Sequence, residues 1–232
     1  MFSFFNSKIK VIDSGILNGF TDSHSHLLPG VDDGFKTAES SLKTLSLLEQ
    51  SGVKAVWLTP HVMEDYPNTP DQLRERFQAF TSHYTGGLQL HLAAEHMIDS
   101  LLQQRLDQPG QLLPHQDDEL LVETSYYNPP YRLKQTLQHI QQLGYHPLLA
   151  HPERYQYMTS DDYQELHAQG IRFQLNLPSL VGAYGPEAQH KAEQLLTQGI
   201  YTRYGLDLHS YHQLELFLAA SISKKLVKRI LL

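Results

Sequence analysis

Val53-Lys54-Ala55-Val56-Trp57-Leu58-Thr59-Pro60-His61 is apolar almost throughout, stops at a proline and then delivers a histidine. A near-continuous apolar run of this length suits a parallel strand covered on both faces. Proline has no N–H to give a ladder, so it marks the strand's end and puts His61 on the rim. The same order recurs downstream. Leu120-Leu121-Val122-Glu123-Thr124, Leu148-Leu149-Ala150-His151-Pro152 and Gly205-Leu206-Asp207-Leu208-His209 each end an apolar run on carboxylate or imidazole.

Extended over the chain, this reading gives seven strands: Phe20–Ser23, Val53–Thr59, Leu88–Ala94, Leu120–Thr124, Pro147–Ala150, Ile171–Asn176 and Ile200–Leu206. Helical patterns separate them. Leu42, Leu45 and Leu48 share one helix face ahead of Gly52, and Thr69-Pro70-Asp71-Gln72 carries a capping hydroxyl, a first-turn proline and the reciprocal Gln. Further helices are expected over Asp99–Gln108, Leu133–Leu143, Asp161–Gln169, Glu187–Gln198 and Tyr211–Ala220. Seven β/α alternations without a long linker favour one α/β domain over residues 1–232, built as a closed or distorted TIM-like (β/α) barrel. An open doubly wound sheet is the alternative, but no glycine-rich nucleotide fingerprint follows the first strand.

Composition narrows the chemistry. The formal charge of −7 argues against a broad nucleic-acid surface, while leaving room for a phosphorylated substrate held through bound cations. With no cysteine, disulfides, thiolate metal sites and thiol nucleophiles are excluded. MFSFFNSKIK lacks the apolar core of a signal peptide and no run reaches transmembrane length, so a cytoplasmic protein is the expectation. The basic end KKLVKRILL reads as a packed closing helix, with a surface or partner anchor as the alternative.

Nine metal-friendly side chains fall at the expected strand ends: His24, His26, Asp33, His61, Glu95, Glu123, His151, Asp207 and His209. Barrel active sites lie at the C-terminal ends of strands, so one cavity lined by these groups is expected. In extended backbone the i and i+2 side chains of His24-Ser25-His26, and of Asp207-Leu208-His209, point the same way. A buried structural pair is the competing reading of the first. Asp32 and Asp33 also read as turn residues before Gly34, and Glu95 and Glu123 as buried salt bridges, although basic residues near those strands are scarce. Arg154 has the planar donor fork that suits a phosphoryl group, with an ion pair to Glu153 as the competing reading. Mixed imidazole and carboxylate suits zinc, manganese or iron, and nine ligands imply two or three ions. The constellation reads as a metal-dependent hydrolase. Tyr126, Tyr127, Tyr131, Tyr155 and Tyr157 are placed to flank a substrate ring, or simply to pack their loops.

The motifs Asp22-Ser23-His24-Ser25-His26-Leu27-Leu28-Pro29-Gly30-Val31-Asp32-Asp33-Gly34, Thr59-Pro60-His61, Ala150-His151-Pro152-Glu153-Arg154-Tyr155 and Asp207-Leu208-His209 resemble the polymerase-and-histidinol-phosphatase (PHP) superfamily. The branch they are most similar to is the bacterial metal-dependent protein-tyrosine phosphatases of capsule and exopolysaccharide loci. The resemblance implies a distorted seven-stranded barrel with a trinuclear site, manganese or iron being usual. It implies one ion on His24, His26, Glu95 and Asp207, a second on Glu95, Glu123 and His151, and a third on Asp33, His61 and His209. Arg154 would bind substrate phosphate, and His209 is a candidate proton donor. A metal-activated hydroxide would attack phosphorus directly, without a phospho-enzyme. The implied substrate is the phosphotyrosine tail of a bacterial tyrosine autokinase. After Asp207-Leu208-His209 the chain reads Ser210-Tyr211-His212, without the basic residue some relatives have there. Competing assignments are another phosphoesterase of the superfamily, such as a histidinol-phosphate phosphatase, an amidohydrolase-type enzyme, and a non-catalytic metal-binding regulator.

Overall fold

Every apolar run expected to be a strand forms one, and two of them are followed after a two-residue gap by a further short strand. The computed structural model describes residues 7–231, so the leader reading of the N-terminus rests partly on residues 1–6, outside the described residues. The strands are β1 (Lys8–Lys10), β2 (Thr21–Ser25), β3 (Ala55–Leu58), β4 (His61–Val62), β5 (Gln89–Leu92), β6 (Glu95–Met97), β7 (Glu119–Glu123), β8 (His146–Ala150), β9 (Arg172–Asn176), β10 (Tyr201–Gly205) and β11 (Ser221–Ser223). The expected second strand, Val53–Thr59, is β3, with β4 following Thr59-Pro60. The expected third is β5, with β6 following Ala93-Ala94.

These breaks split the sheet. β2-β3-β5 form a three-stranded parallel sheet, and β10-β9-β8-β7-β6-β4 a six-stranded one. Pro60 has no N–H, and Ala94 N–H turns away to Leu113 O at 3.0 Å. β3 and β5 carry on into the second sheet only through their continuations. On the far side, β2 meets the segment after β10 through two backbone bonds, Asp207 N–H to His24 O (2.7 Å) and His26 N–H to Leu208 O (3.0 Å). This junction is an isolated bridge rather than a ladder, so the sheets do not close into the continuous barrel expected from the apolar runs.

Helices α1 (Ala38–Gln50), α2 (Pro70–Thr81), α3 (Ser100–Leu106), α4 (Leu133–Gln142), α5 (Ser160–Ala168), α6 (Gly185–Gln198), α7 (Tyr211–Ala219) and α8 (Lys224–Ile230) lie close to their expected spans. The Thr69–Gln72 capping box forms as read, with Gln72 Oε1 accepting from Thr69 N–H at 3.1 Å. Helix α8 packs Leu226 and Val227 inward, as a closing helix does. The antiparallel β1–β11 ribbon has no counterpart in the expected strands, since three-residue strands carry too little periodicity to read. Among the described residues no helix is long and apolar enough to cross a membrane.

At the strand ends remote from the candidate ligands, Glu119 is buried and accepts from Arg172 Nη1 (2.5 Å) and Arg203 Nε (2.7 Å), tying β7, β9 and β10 together. Breaking a buried ion pair from one side leaves charge uncompensated, although both guanidiniums here stay about a third exposed. Glu119→Ala should therefore cost about 2–3 kcal/mol in urea denaturation; a cost within experimental error would show that the cluster contributes no stability.

Candidate metal centre

Local backbone geometry brings the nine side chains to one end of the sheets. His24 lies inside β2 and Glu123 ends β7, while His61 and Glu95 open the short continuations β4 and β6. Four candidates thus sit within strands rather than past their ends, because β2 runs on through His24, β7 ends on Glu123, and short strands restart at His61 and Glu95. His151 and Asp207 have positive φ, 32° and 50°, which is costly for a residue with a Cβ and swings each side chain inward at the end of its strand. Two glycines make room. A Cβ on Gly34 would overlap the Cβ and carbonyl oxygen of His26, and one on Gly205 would lie 2.6 Å from the Cβ of His24. The loop Asp32-Asp33-Gly34 can therefore fold down onto His26.

His24 in β2 and His26 just past its end are held with their Nε2 atoms free of protein hydrogen-bond donors. Nδ1 of His24 donates to Gln174 Oε1 (2.9 Å), and Nδ1 of His26 donates to Asp32 Oδ2 (2.8 Å). Both partners accept only, so in each neutral ring the other nitrogen carries the lone pair. Gln174 is fixed in turn by its Nε2 donating to Leu175 O (2.5 Å). The two Nε2 atoms lie 3.2 Å apart. Glu95 Oε2 stands 3.2 and 3.3 Å from them, and Asp207 Oδ1 3.4 and 3.2 Å. Such spacings are those of ligands about 2.0–2.2 Å from a shared ion.

Around this core the remaining candidates form overlapping groups. His151 Nε2 is 3.1 Å from Glu95 Oε1 and 3.8 Å from Glu123 Oε2. His61 Nδ1 is 3.1 Å from both Glu95 Oε2 and Glu123 Oε1, and its Nε2 is 3.4 Å from Asp33 Oδ1. His209 Nε2 reaches the same Asp33 oxygen at 3.5 Å. Groups able to hold an ion are His24-His26-Glu95, His24-His151-Asp207, His61-Glu95-Glu123 and His26-Asp33-His61-His209. All nine expected residues fall in them.

Close as they are, His61 Nδ1, Glu95 Oε2 and Glu123 Oε1 make no hydrogen bond and are sealed from solvent. Buried polar atoms without a partner are rare. Donors a few ångströms apart that point past one another fit a shared cation. The charge balance agrees. The cavity, about 350 Å³, is lined by Asp33, Glu95, Glu123 and Asp207 against one guanidinium, Arg154. With neutral imidazoles three negative charges are uncompensated, most of them buried, a cost divalent cations remove.

Without cations, protons take that role. Burial opposes charge on His61, but Glu123 and Glu95 raise its pKa to about 10. His26 is also raised well above the usual imidazole range, with burial overcome by Asp207 and Asp32. Burial works against the charged forms of Glu95 and Asp207 too, yet His24 above all holds both well below the carboxylate range. Asp33 is lowered to about 2, chiefly by its hydrogen bond with His209.

Arg154 lies at the cavity edge with Nη1 donating to Asp207 Oδ2 (2.7 Å). Its guanidinium is sandwiched between the rings of Tyr126 and Tyr184, 4.4 and 4.2 Å from their centroids. The competing pair with Glu153 does not form. Glu153 accepts instead from Ser179 Oγ, Asn176 N–H and Tyr201 OH. Of the five tyrosines read as possible ring contacts, only Tyr126 lines the cavity. Tyr155 is buried and donates to Ala150 O, Tyr157 bonds Thr124, and Tyr127 and Tyr131 point to solvent.

Sequence reading missed Asp32, Gln174, Asn176 and Tyr184. Gln174 and Asn176 did leave a signal, two polar residues at i and i+2 in the apolar strand β9. Asp32 carries only a turn signal in sequence, because Asp-Asp-Gly is usually a turn. Tyr184 sits in a connection with no periodicity.

A parallel α/β scaffold whose strand ends bring five imidazoles and four carboxylates together beside one arginine defines a metal-centre protein. The chain belongs to the family described as capsular polysaccharide synthesis, CpsB/CapC, which it matches over residues 20–228. It is 26% identical over 202 residues to the tyrosine-protein phosphatase YwqE of Bacillus subtilis, covering 82% of this chain and 77% of that protein. To the tyrosine-protein phosphatase CpsB of Streptococcus pneumoniae it is 26% identical over 204 residues, 82% of each chain. A crystal structure from work on YwqE and CpsB, described there as unique metal-dependent tyrosine phosphatases, superposes with a TM-score of 0.76 at 25% identity, covering 84% of this chain and 81% of the other.

A histidine with a raised folded pKa stabilises the fold fully below its unfolded value, about 6.5, and loses that contribution as pH climbs through the folded value. For His61 the window in the metal-free protein runs from there to about 10. The gain in melting temperature on adding a divalent cation should therefore widen by several degrees between about pH 6.5 and about pH 9. A constant gain across that range would contradict proton–metal exchange at this cluster.

Proposed function

We propose that this protein is a metal-dependent phosphomonoester hydrolase acting on phosphotyrosine in proteins, its substrate being the tail of a bacterial tyrosine autokinase that controls capsular or exopolysaccharide synthesis. The observation that carries the reading is the placement of Arg154, the only arginine of the cavity, at the edge of a carboxylate–imidazole cluster in a chain of the CpsB/CapC family. Relatives named tyrosine-protein phosphatases support the choice of substrate over histidinol phosphate.

In this reading His24, His26, Glu95 and Asp207 hold one ion, Glu95, Glu123 and His151 a second, and Asp33, His61 and His209 a third. Two or three divalent cations are required, with manganese the first choice and iron or zinc the alternatives. When bound they supply Lewis acidity towards phosphoryl oxygens and lower the pKa of water towards neutrality. The chain's own groups do the rest. One nitrogen of Arg154 is engaged by Asp207, and among the described residues the other guanidinium nitrogens make no hydrogen bond, so they are available to equatorial phosphoryl oxygens. Tyr126 and Tyr184 hold that fork flat and keep water from its faces. Nδ1 of His209 donates to Asp207 O at 3.0 Å, leaving Nε2 towards the cavity. In the two-ion form, where His209 is not a ligand, this part-exposed ring can instead pass a proton to the leaving phenolate, a weak demand because phenol has a pKa of about 10. Residues 1–232 act as one domain, the two parallel sheets being an unclosed, distorted relative of the (β/α) barrel, and the protein works in the cytoplasm.

The test is hydrolysis of a phosphotyrosine peptide and of histidinol phosphate, with added manganese or with chelator. The peptide should be turned over only with cation, and faster than histidinol phosphate. Asp207→Ala should lose roughly a hundredfold or more in kcat/KM and Arg154→Lys about tenfold or more. Equal rates for wild type and Asp207→Ala would refute the assignment.

A further inference from the structure

Beside the cavity of candidate ligands lies a second one of a different chemistry. It measures about 310 Å³ and is walled by Pro178, Val181, Leu206, Leu208, Leu216 and Phe217, with Tyr184 and Gln213 shared between the two. Apart from the phenol of Tyr184 its lining has no titratable side chain. A charged or phosphorylated ligand therefore finds no partner there, whereas an apolar side chain does. Leu216 is 57% exposed, an unusual position for a large apolar residue, and it stands at the mouth.

Both walls are tied to the loops that bear functional candidates. Gln213, in the first turn of α7, accepts through Oε1 from His209 N–H (2.7 Å) and Ser210 N–H (3.2 Å), and Leu216 follows on the same helix face. On the opposite wall the turn containing Pro178 is anchored where Ser179 Oγ donates to Glu153 at 2.7 Å, next in sequence to Arg154. The apolar cavity is thus held at fixed distance from the residues that would grip a phosphoryl group. Preorganisation of this kind suits a substrate contact.

We propose that this cavity is a specificity subsite for an apolar side chain flanking the phosphotyrosine in a peptide substrate. The inference rests on the phosphotyrosine reading above. Tyr184 and Gln213 stand between the cavities, so an aryl ring whose phosphate meets Arg154 occupies the mouth of the first, and the neighbouring residues of the peptide extend over the second. The cavity on the other side of Tyr184 carries Lys191, Glu187 and Gln156 and has the opposite character. A peptide crossing the site consequently meets an apolar and a polar side, which gives it a direction.

The experiment is a set of phosphotyrosine peptides with Leu, Ser or Asp scanned through the three positions on each side, assayed with metal-loaded wild type and with Leu216→Lys. Because Leu216 is exposed, the substitution should fold, and melting temperature checks this. Wild type should prefer Leu over Asp by about tenfold in kcat/KM at one or two positions on one side only, and Leu216→Lys should abolish or invert that preference at the same positions. A ratio between peptides is insensitive to any general loss of activity. A wild type that hydrolyses p-nitrophenyl phosphate but turns over all peptides equally, or a preference unchanged in the variant, overturns the subsite and leaves the phosphatase reading standing. Failure on p-nitrophenyl phosphate and on every peptide brings down both.

Discussion

Buried negative charge is the constraint on which the rest of this structure turns. Glu95, Glu123 and Asp207 are nearly sealed from water around a cavity with one guanidinium. Carboxylates in such surroundings either neutralise or acquire cations, since isolated ionised groups are too costly to bury. Here protonation of the acids is opposed by the histidines among them, which hold Glu95 and Asp207 ionised. Whatever fills the centre must be positive. Imidazolium serves when no metal is bound, and divalent cations serve better because they leave each lone pair engaged.

That constraint explains features otherwise hard to justify. The chain accepts left-handed backbone at His151 and Asp207, and it has glycine at two positions where a Cβ would strike His24 or His26. Asp32 and Gln174 each contribute a single acceptor to one imidazole, fixing which nitrogen faces the centre. Supporting contacts of this kind orient ligands and raise their basicity. The broken strands belong to the same picture. By interrupting β3 and β5 at one level, the chain turns His61 and Glu95 into the first residues of new short strands aimed at a common point.

Much of the fold was legible because strands such as β7 and β8 are buried on both faces and the helices carry explicit punctuation, as at Thr69-Pro70-Asp71-Gln72 and at Gly52. Those signals are local, and local signals survive in sequence. Sheet closure is not local. Whether β2 pairs with β10 as a ladder or only bridges to Leu208 in the segment after it depends on sheet twist, which apolar runs cannot express. The same division holds at the site. His24, His61 and Asp207 were visible because imidazole and carboxylate at strand ends are conspicuous. Tyr184 stacks on Arg154 from far along the chain, and only the folded structure brings the two together. The alternative pairing of Glu153 with Arg154 rested on adjacency alone, and the fold instead turns Glu153 towards Ser179 and Tyr201.

The proposed chemistry and the proposed subsite both presuppose cations inside this cluster. Anomalous diffraction at the manganese edge from crystals of the metal-loaded protein tests that most directly. The account predicts at least two peaks about 3.5–4 Å apart within the space bounded by His24, His61, Glu95, Glu123, His151 and Asp207. Loaded crystals with no peak there, or with metal only on surface residues, would contradict it.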